Sequence, residues 1–267
     1  MKTVPFVSKD IDALLPLQPE GWPDIRDEYR GYLENHFCFP IKVVHENQIV
    51  GVGVLIHFGK TAWLGHIIVD PEKRNMGLGR LIVNQLLDLA EEKGIQSISL
   101  VATDLGYPVY LKTGFVLQTR YLFFRREKSG QIKRQEYPHV RPAQAGDEKH
   151  ILELDRQISG EDRTVLIGRF VKNAWVCEEN GSVQGYFLPG LGEGLIMAVD
   201  DRAGLELMAH KHQGVDTAVL PADNTDGIRF LENSGFKQHA TARRMVAGEP
   251  FPYSPDKIYS RIGGNFG

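Results

Sequence analysis

A short glycine-containing segment between a strand-like run and a helix-like run carries the clearest chemical signal in this sequence. Residues 74–80, Arg-Asn-Met-Gly-Leu-Gly-Arg, follow the β-rich run 61–69 and precede a run of periodic apolar residues. The first turn of a helix leaves backbone N–H groups without acceptors, and its dipole favours an anion. The two glycines would let the backbone approach a pyrophosphate, and Arg74 and Arg80 add positive charge. The spacing therefore predicts a phosphate-binding loop.

Other groups of reactive side chains are weaker candidates. Residues 210–212, His-Lys-His, end a helical stretch before Gly214, where cations suit the negative end of the helix dipole, so we predict no metal site there. The chain has two cysteines, Cys38 and Cys177, which are too few for a disulfide framework. We expect both to be small buried hydrophobic residues in a protein of the reducing cytoplasm.

The elements that must position the loop can be outlined from apolar periodicity. Apolar residues recur every three or four positions over 82–90, which predicts a helix that Gly94 caps. The polar segment 125–135 has no periodic apolar face and is interpreted as a linker. A chain of 267 residues is longer than a usual single core, so we predict two domains, residues 1–127 and 137–267.

The two halves of the chain resemble each other. Residues 41–56 have the pattern strand, polar turn, strand, and residues 174–188 repeat it. Further along, a helix-like end followed by Gly-Phe occurs at 110–115 and again at 231–236. The interval from the turn to this glycine is 67 positions in the first half and 55 in the second, so the second copy has lost 12 residues from its middle. The chain is therefore interpreted as an internal duplication.

Two motifs of the first half resemble those of a known family. The pattern Val69-x-Pro71-x-x-Arg74-x-x-Gly77-x-Gly79 is similar to the acyl-CoA signature of the GNAT superfamily of N-acetyltransferases, and residues 110–115 resemble that family's second motif. The similarity covers residues 40–124 well and the second half more loosely. It implies an α/β (α+β) fold made of two tandem GNAT domains, each a mixed, mostly antiparallel splayed sheet flanked by helices.

The resemblance also implies a reaction. The chain is expected to move an acetyl group from acetyl-CoA, its co-substrate, to a primary amine of a small molecule or peptide by direct attack in a ternary complex. Tyr110 matches the residue that protonates the CoA thiolate in many family members, and the basicity of a phenol suits that role. The residues expected to bind acetyl-CoA are Ile67, Ile68, Val69, Arg74, Asn75, Met76, Gly77, Leu78, Gly79, Arg80 and Thr103.

Two positions of the first copy depart from the family pattern. The family has an Asn seven residues before the tyrosine, where this chain has Thr103, whose hydroxyl can still form a hydrogen bond. Family members that use a base on the strand have it at the positions of Trp63 and Gly65. Unless a bulge intervenes, His66 lies on the opposite face of that strand, so we interpret it as a core histidine and assign no general base.

The segment 22–39 combines acidic and aromatic residues, and the corresponding region often covers the acceptor site in the family. Such a set suits a cationic amine, but a solvated acidic helix face with core aromatics remains an equally open interpretation.

The second copy lacks the chemical features of the first. Residues 200–202, Asp-Asp-Arg, replace the glycine loop, and two carboxylates would repel a pyrophosphate. Leu231 stands at the tyrosine position and cannot donate a proton. Asn224 occupies the position of the family asparagine and is interpreted as a relic. We therefore expect a degenerate second domain that is not catalytic.

Composition excludes other classes of protein. A net charge of −3 provides no positive field for binding nucleic acid, and no apolar run approaches the length that spans a membrane. Two alternatives to small-molecule acetylation remain open. One is a non-enzymatic acyl-CoA sensor or regulatory module, which would not need Tyr110, and the other is acetylation of protein lysines or N-termini. The sequence does not identify the acceptor amine or the oligomeric state.

Overall fold

The computed structural model describes residues 2–127 and 137–267, so residues 128–135 of the predicted linker lie outside the described part. The chain forms two compact units, and each is discontinuous in sequence. Unit 1 consists of Met1–Val116, Met245–Glu249 and Gly264–Phe266. Unit 2 consists of Leu117–Arg244, Pro250–Gly263 and Gly267.

Unit 1 is a twisted sheet with helices on its faces. Its strands are β1 (Lys2–Pro5), β2 (Cys38–His45), β3 (Gln48–Phe58), β4 (Thr61–Val69) and β5 (Ser97–Ala102). Its helices are α1 (Ile25–Glu34), α2 (Leu78–Glu92) and α3 (Tyr107–Leu111), with 3₁₀ turns at Ser8–Leu17 and Pro71–Lys73. The strands lie in the order β1-β2-β3-β4-β5. The first four are antiparallel neighbours, whereas β4 and β5 are parallel.

Helix α2 covers the sheet of unit 1 with the apolar face that its periodicity predicts. Ile82, Val83 and Leu86 are fully buried in the core of this unit, beside Met245 from the C-terminal part of the chain. The helix ends as predicted, because Gly94 adopts a positive φ of 68° and allows the Ile95 N–H to donate to the Ala90 carbonyl. Burial of this apolar stripe fixes the position of the helix N-terminus relative to β4.

Unit 2 contains the other strands and helices of the described residues. Its strands are β6 (Val116–Arg125), β7 (Val140–Pro142), β8 (Trp175–Glu179), β9 (Ser182–Leu188), β10 (Leu195–Ala198), β11 (Thr217–Pro221), β12 (Lys237–Gly248) and β13 (Ile258–Ser260). Its helices are α4 (Glu148–Ser159), α5 (Thr164–Ile167), α6 (Asp201–Lys211) and α7 (Thr225–Asn233). Short 3₁₀ turns occur at Ala145–Asp147, Val171–Asn173 and Pro255–Lys257.

The strands of unit 2 lie in two groups. One sheet has the order β13-β10-β9-β8-β7. The other group has the order β12-β6-β11, with β6 and β11 antiparallel. Strand β12 contributes residues to both units: those up to Arg244 belong to unit 2, and those from Met245 belong to unit 1.

The two hairpins predicted from the repeat are present. Strands β2 and β3 are joined by a turn in which Asn47 has a φ of 65°, and strands β8 and β9 by a turn in which Asn180 has a φ of 51°. A positive φ suits the tight turns that match the twist of two antiparallel strands. The same local geometry in both units agrees with an internal duplication.

The predictions for the cysteines and for membrane segments can be compared with the structure. Cys38 and Cys177 are both buried free thiols, as expected. Within residues 2–127 and 137–267, no helix is long and apolar enough to cross a membrane.

Candidate functional site

The gap between β4 and β5 is the first feature of the candidate site. The two parallel strands are in register from Thr61 opposite Ser97 to Leu64 opposite Leu100. Strand β4 then continues through residues 65–69, and none of these pairs with a described residue of β5. The strands therefore part after Leu64, and backbone groups at the end of β4 are left without a neighbouring strand on that side.

A β-bulge lies in β4 where the gap opens. Two residues, His66 and Ile67, face the single residue Gly53 of β3, where the register shifts. His66 has a φ of 45°, a left-handed conformation that is uncommon for a residue other than glycine. The regular alternation of faces assumed from the sequence therefore does not hold across His66.

The predicted phosphate-binding loop connects β4 to α2. Asn75 and Gly77 both adopt a positive φ, of 63° and 79°, and the second places the chain at the start of α2. The first bond of that helix runs from the Leu81 N–H to the Gly77 carbonyl at 3.0 Å. The N–H groups of residues 78–80 precede that bond and have no acceptor within the helix. The loop thus presents the positive end of α2 together with the exposed side chains of Arg74 and Arg80.

Three elements converge at Gly79. An ideal Cβ at this position would lie 4.0 Å from a methyl group of Val69, at the end of β4, and 4.0 Å from one of Val109, in α3. The start of α2, the parted strand and the helix that carries Tyr110 therefore meet around this glycine. Any side chain at position 79 would occupy the space between them.

Tyr110 lies in α3 with its ring against the start of the same helix. An ideal Cβ at Gly106 would be 2.8 Å from the ring and 3.3 Å from the hydroxyl oxygen, so glycine leaves room for the phenol. The side chain is 8% exposed, and burial raises the pKa of Tyr110 to about 12. Thr103 lies in the turn before this helix, where its Oγ1 accepts the Gly106 N–H at 3.2 Å.

His66 lies in a cluster of aromatic side chains that the sequence did not reveal. Its Nδ1 is 2.6 Å from the Tyr32 hydroxyl, which also receives a hydrogen bond from Asn265 Nδ2 at 2.6 Å. The Tyr29 hydroxyl donates to the His66 carbonyl at 3.3 Å. Tyr29 and Tyr32 are buried, as a core interpretation of the segment requires, whereas Trp22 lies edge-on to the imidazole and is 46% exposed.

These contacts surround the ring of His66. Its Nδ1 shares one hydrogen with the Tyr32 hydroxyl, whose oxygen also receives the Asn265 amide hydrogen. Burial also lowers the pKa of His66 to about 4. The imidazole is therefore uncharged at neutral pH and a weak base. His66 is half-buried, and the bulge removes the reason from strand alternation for placing it in the core.

Neutral His66 is expected to make the protein sensitive to acid. The folded pKa is near 4 and the unfolded value is 6.5, so its contribution to stability is complete above pH 6.5 and is lost as the pH falls toward 4. The loss at pH 4 amounts to about 3 kcal/mol. In denaturant titrations between pH 4 and pH 7.5, the His66→Gln protein should show a smaller decrease in the free energy of unfolding than the wild type. Equal slopes for the two proteins would contradict this prediction.

Two further expectations from the sequence are that residues 210–212 form no metal site and that the second copy is not catalytic. Among the described residues, no group of three or more His, Cys, Asp or Glu side chains could hold a metal ion. In unit 2 the start of α6 is capped by Asp200, whose carboxylate accepts the Ala203 N–H at 3.0 Å. Leu231, at the tyrosine position, is fully buried as a core residue.

Comparison with known proteins assigns the chain to a family. The family model described as Acetyltransferase (GNAT) family matches residues 10–115, and the model described as Acetyltransferase (GNAT) domain matches residues 151–260. The chain belongs to the GNAT family. Its two GNAT domains lie in tandem, and the resemblance stated from the two sequence motifs is confirmed. Family membership also supports the prediction that the chain is an acyltransferase enzyme.

Relatives of this tandem GNAT protein are similar along most of its length. YitH of Bacillus subtilis (strain 168), an uncharacterised N-acetyltransferase, is 23% identical over 91% of this chain and 89% of its own. A protein from Pyrococcus horikoshii assigned to the acetyltransferases has 22% identity and a TM-score of 0.82, over 100% of this chain and 95% of that one. A tandem GNAT protein from the clavulanic acid biosynthesis pathway has 15% identity and a TM-score of 0.61, over 93% and 99%. The two structures support the duplicated GNAT fold alone.

Proposed function

We propose that unit 1 binds acetyl-CoA in the gap between β4 and β5 and transfers the acetyl group to a primary amine within a ternary complex. The observation that carries this proposal is the convergence at Gly79 of the parted strand, the N-terminus of α2 and the helix of Tyr110. Such a gap has an anion-binding end at α2 and a proton donor at α3. Gly79 thus lies between the anion-binding end of the gap and the residue that would donate a proton, and acyl transfer from acetyl-CoA uses both.

The loop before α2 fits a pyrophosphate. Gly77 has open space where a Cβ would be, so its backbone can approach a ligand, and the first-turn N–H groups lack helical acceptors. The residues that would hold the phosphates are Arg74, Asn75, Met76, Gly77, Leu78, Gly79 and Arg80. The exposed arginine side chains are flexible and add positive charge near the phosphates. The backbone N–H groups of the loop are hydrogen-bond donors in fixed positions.

The end of β4 fits the acyl arm. Residues 65–69 have backbone groups without a strand partner toward β5, so an extended chain can lie beside them. We assign Ile67, Ile68 and Val69 to binding this arm, with a backbone N–H polarising the acetyl carbonyl. Thr103 lies at the opposite wall, where its hydroxyl accepts from Gly106 and still has a hydrogen to donate.

Tyr110 is assigned as the proton donor. Bound acetyl-CoA supplies a thioester whose carbon is attacked by the amine and whose sulfur leaves as a thiolate. Because burial raises the pKa of Tyr110 to about 12, the phenol keeps its proton throughout the neutral and mildly basic range. Its hydroxyl is therefore available to protonate the leaving sulfur. The attacking nitrogen then loses a proton to solvent, and the Tyr110 phenolate takes a proton back from solvent, which completes the transfer.

The amine itself must arrive deprotonated or lose its proton to water, because no base is assigned. Burial that lowers the pKa of His66 to about 4 makes its imidazole a weak base, and its Nδ1 already contacts the Tyr32 hydroxyl. We therefore expect the rate at a fixed total amine concentration to rise with pH up to the pKa of the amine. The pH dependence of the rate, measured with each amine, therefore tests whether the enzyme lacks a general base.

The test is release of free thiol from acetyl-CoA in the presence of a panel of amines. The panel contains diamines, amino sugars, amino acids, and peptides with a free N-terminus or a lysine. We expect at least one class to raise thiol release at least tenfold over the amine-free rate, with formation of the N-acetyl product by mass spectrometry. Binding of acetyl-CoA without turnover on any amine would instead support an acyl-CoA sensor. Turnover only on peptides would support protein acetylation.

A further inference from the structure

The gap of unit 2 that corresponds to the β4–β5 gap is filled by the chain itself. Strand β13 is paired antiparallel with β10, with Ser260 opposite Ile196 and Ile258 opposite Met197. On its other side, the N–H of Arg261 donates to the Val219 carbonyl of β11 at 3.2 Å. A short segment of the C-terminal region therefore lies between the two strands whose counterparts in unit 1 have parted.

Side chains around this gap hold the segment. Asn224 Oδ1 caps α7 by accepting the Gly227 N–H at 2.7 Å, and its Nδ2 donates to the Ile258 carbonyl at 3.0 Å. Asp201, at the start of α6, accepts hydrogen bonds from Lys257 Nζ at 2.7 Å and from the Tyr259 hydroxyl at 2.8 Å. Asn224 therefore has a structural role in unit 2, because its amide binds a peptide carbonyl and caps α7.

Two glycines of unit 2 leave room for the segment. An ideal Cβ at Gly204, in α6, would lie 2.2 Å from the ring of Tyr259. An ideal Cβ at Gly192 would lie 2.0 Å from the Ile262 carbonyl oxygen, and Gly192 has a φ of 57°. Neither position accepts a larger side chain while the segment is in place. The surface under the segment is therefore shaped to receive it, as a binding site is shaped to its ligand.

We propose that the gap between β10 and β11 is a peptide-binding site whose resident ligand is the chain's own segment 257–261, in the place that acyl-CoA takes in unit 1. This inference rests on the proposed function for the comparison between the two gaps. The ligand is an extended peptide: its backbone pairs with β10 and donates one hydrogen bond to β11, its aromatic ring packs on α6, and its lysine pairs with Asp201. The chain consequently binds one acyl-CoA.

Hydrogen exchange of the full-length protein, with and without saturating acetyl-CoA, tests the proposal. We expect peptides covering 258–261 to be protected in both conditions, and peptides covering 65–79 to gain protection only with acetyl-CoA. Calorimetry should give one acetyl-CoA per chain. Loss of protection over 258–261 on adding acetyl-CoA, or a stoichiometry of two, would overturn the proposal.

The Asp201→Asn variant tests how the segment is held. It weakens the pairing with Lys257 and the bond from Tyr259, so exchange over 258–261 should accelerate by on the order of tenfold or more. Asp27→Asn is the matched control, because Asp27 lies in the first turn of α1 and pairs with Arg30. Equal exchange in the two variants would count against a bound segment.

The same data separate failure of this proposal from failure of the proposed function. If acetyl-CoA does not bind at all, the function assigned to unit 1 fails. Protection over 258–261 and its sensitivity to Asp201→Asn would then still support a resident peptide. Rapid exchange over 258–261 in the wild type would overturn the resident peptide even if one acetyl-CoA binds in unit 1.

Discussion

Tyr110→Phe is expected to lower kcat by on the order of a hundredfold to ten-thousandfold while changing the KM for acetyl-CoA by less than threefold. The substitution removes the hydroxyl that would protonate the leaving thiolate but keeps the ring that packs at 6.0 Å from Phe115. The loss should fall on kcat and kcat/KM together, because the interaction is made mainly in the transition state. Free-thiol release at saturating amine measures it.

Tyr107→Phe is the matched control, since it removes a hydroxyl from the same short helix. We expect it to retain at least one third of wild-type kcat. The pH profile provides a second readout: because the pKa of Tyr110 is raised to about 12, the wild-type rate should show no decrease from this group below pH 11. Retention of most of kcat in Tyr110→Phe would remove this residue from the mechanism.

Gly79→Leu is expected to weaken acetyl-CoA binding by about a hundredfold or more, which corresponds to about 2.7 kcal/mol. The new side chain would fill the space between Val69 and Val109, where α2, β4 and α3 meet. Leucine is a good helix former, so α2 itself should be retained. Calorimetric titration with acetyl-CoA measures the dissociation constant.

A control for the Gly79 substitution is available in unit 2. At Gly146 an ideal Cβ has no neighbouring atom within 4 Å, so Gly146→Leu adds the same side chain in open space. Binding should be unchanged in this variant, and the circular dichroism of both variants should match the wild type. A dissociation constant for Gly79→Leu within threefold of the wild type would mean that the ligand lies elsewhere.

The features predicted well from the sequence are those encoded locally. The stripe of Ile82, Val83 and Leu86 fixes α2, and Gly77 and Gly94 mark its ends through their positive φ values. The family resemblance follows from the loop and from the Gly-Phe motif, since both depend on backbone conformations that few residues tolerate. For the same reason, the position of Tyr110 in α3 needed no long-range information.

The features that the sequence did not reveal depend on contacts between distant residues. At the bulge, His66 has a φ of 45°, although it is not a glycine. The alternation of apolar residues in a sequence cannot signal such a conformation. The bond from Asn265 to Tyr32 joins positions that are 233 residues apart. In unit 2, strand β13 from the C-terminal region takes the place beside β10. Local patterns contain no information about which distant segment fills an opening.

The discontinuity of unit 1 has a consequence for how the protein is made. Met245 contributes to the core of this unit, and Glu249 pairs through its backbone with Gln96 and Ser97. Asn265 completes the cluster around Tyr32. During synthesis, the first copy of the repeat therefore waits for residues 245–249 and 264–266, which leave the ribosome after most of the second copy. We expect the last folding step of unit 1 to be the docking of these distant residues onto its core. The chain must avoid aggregation until that step is complete.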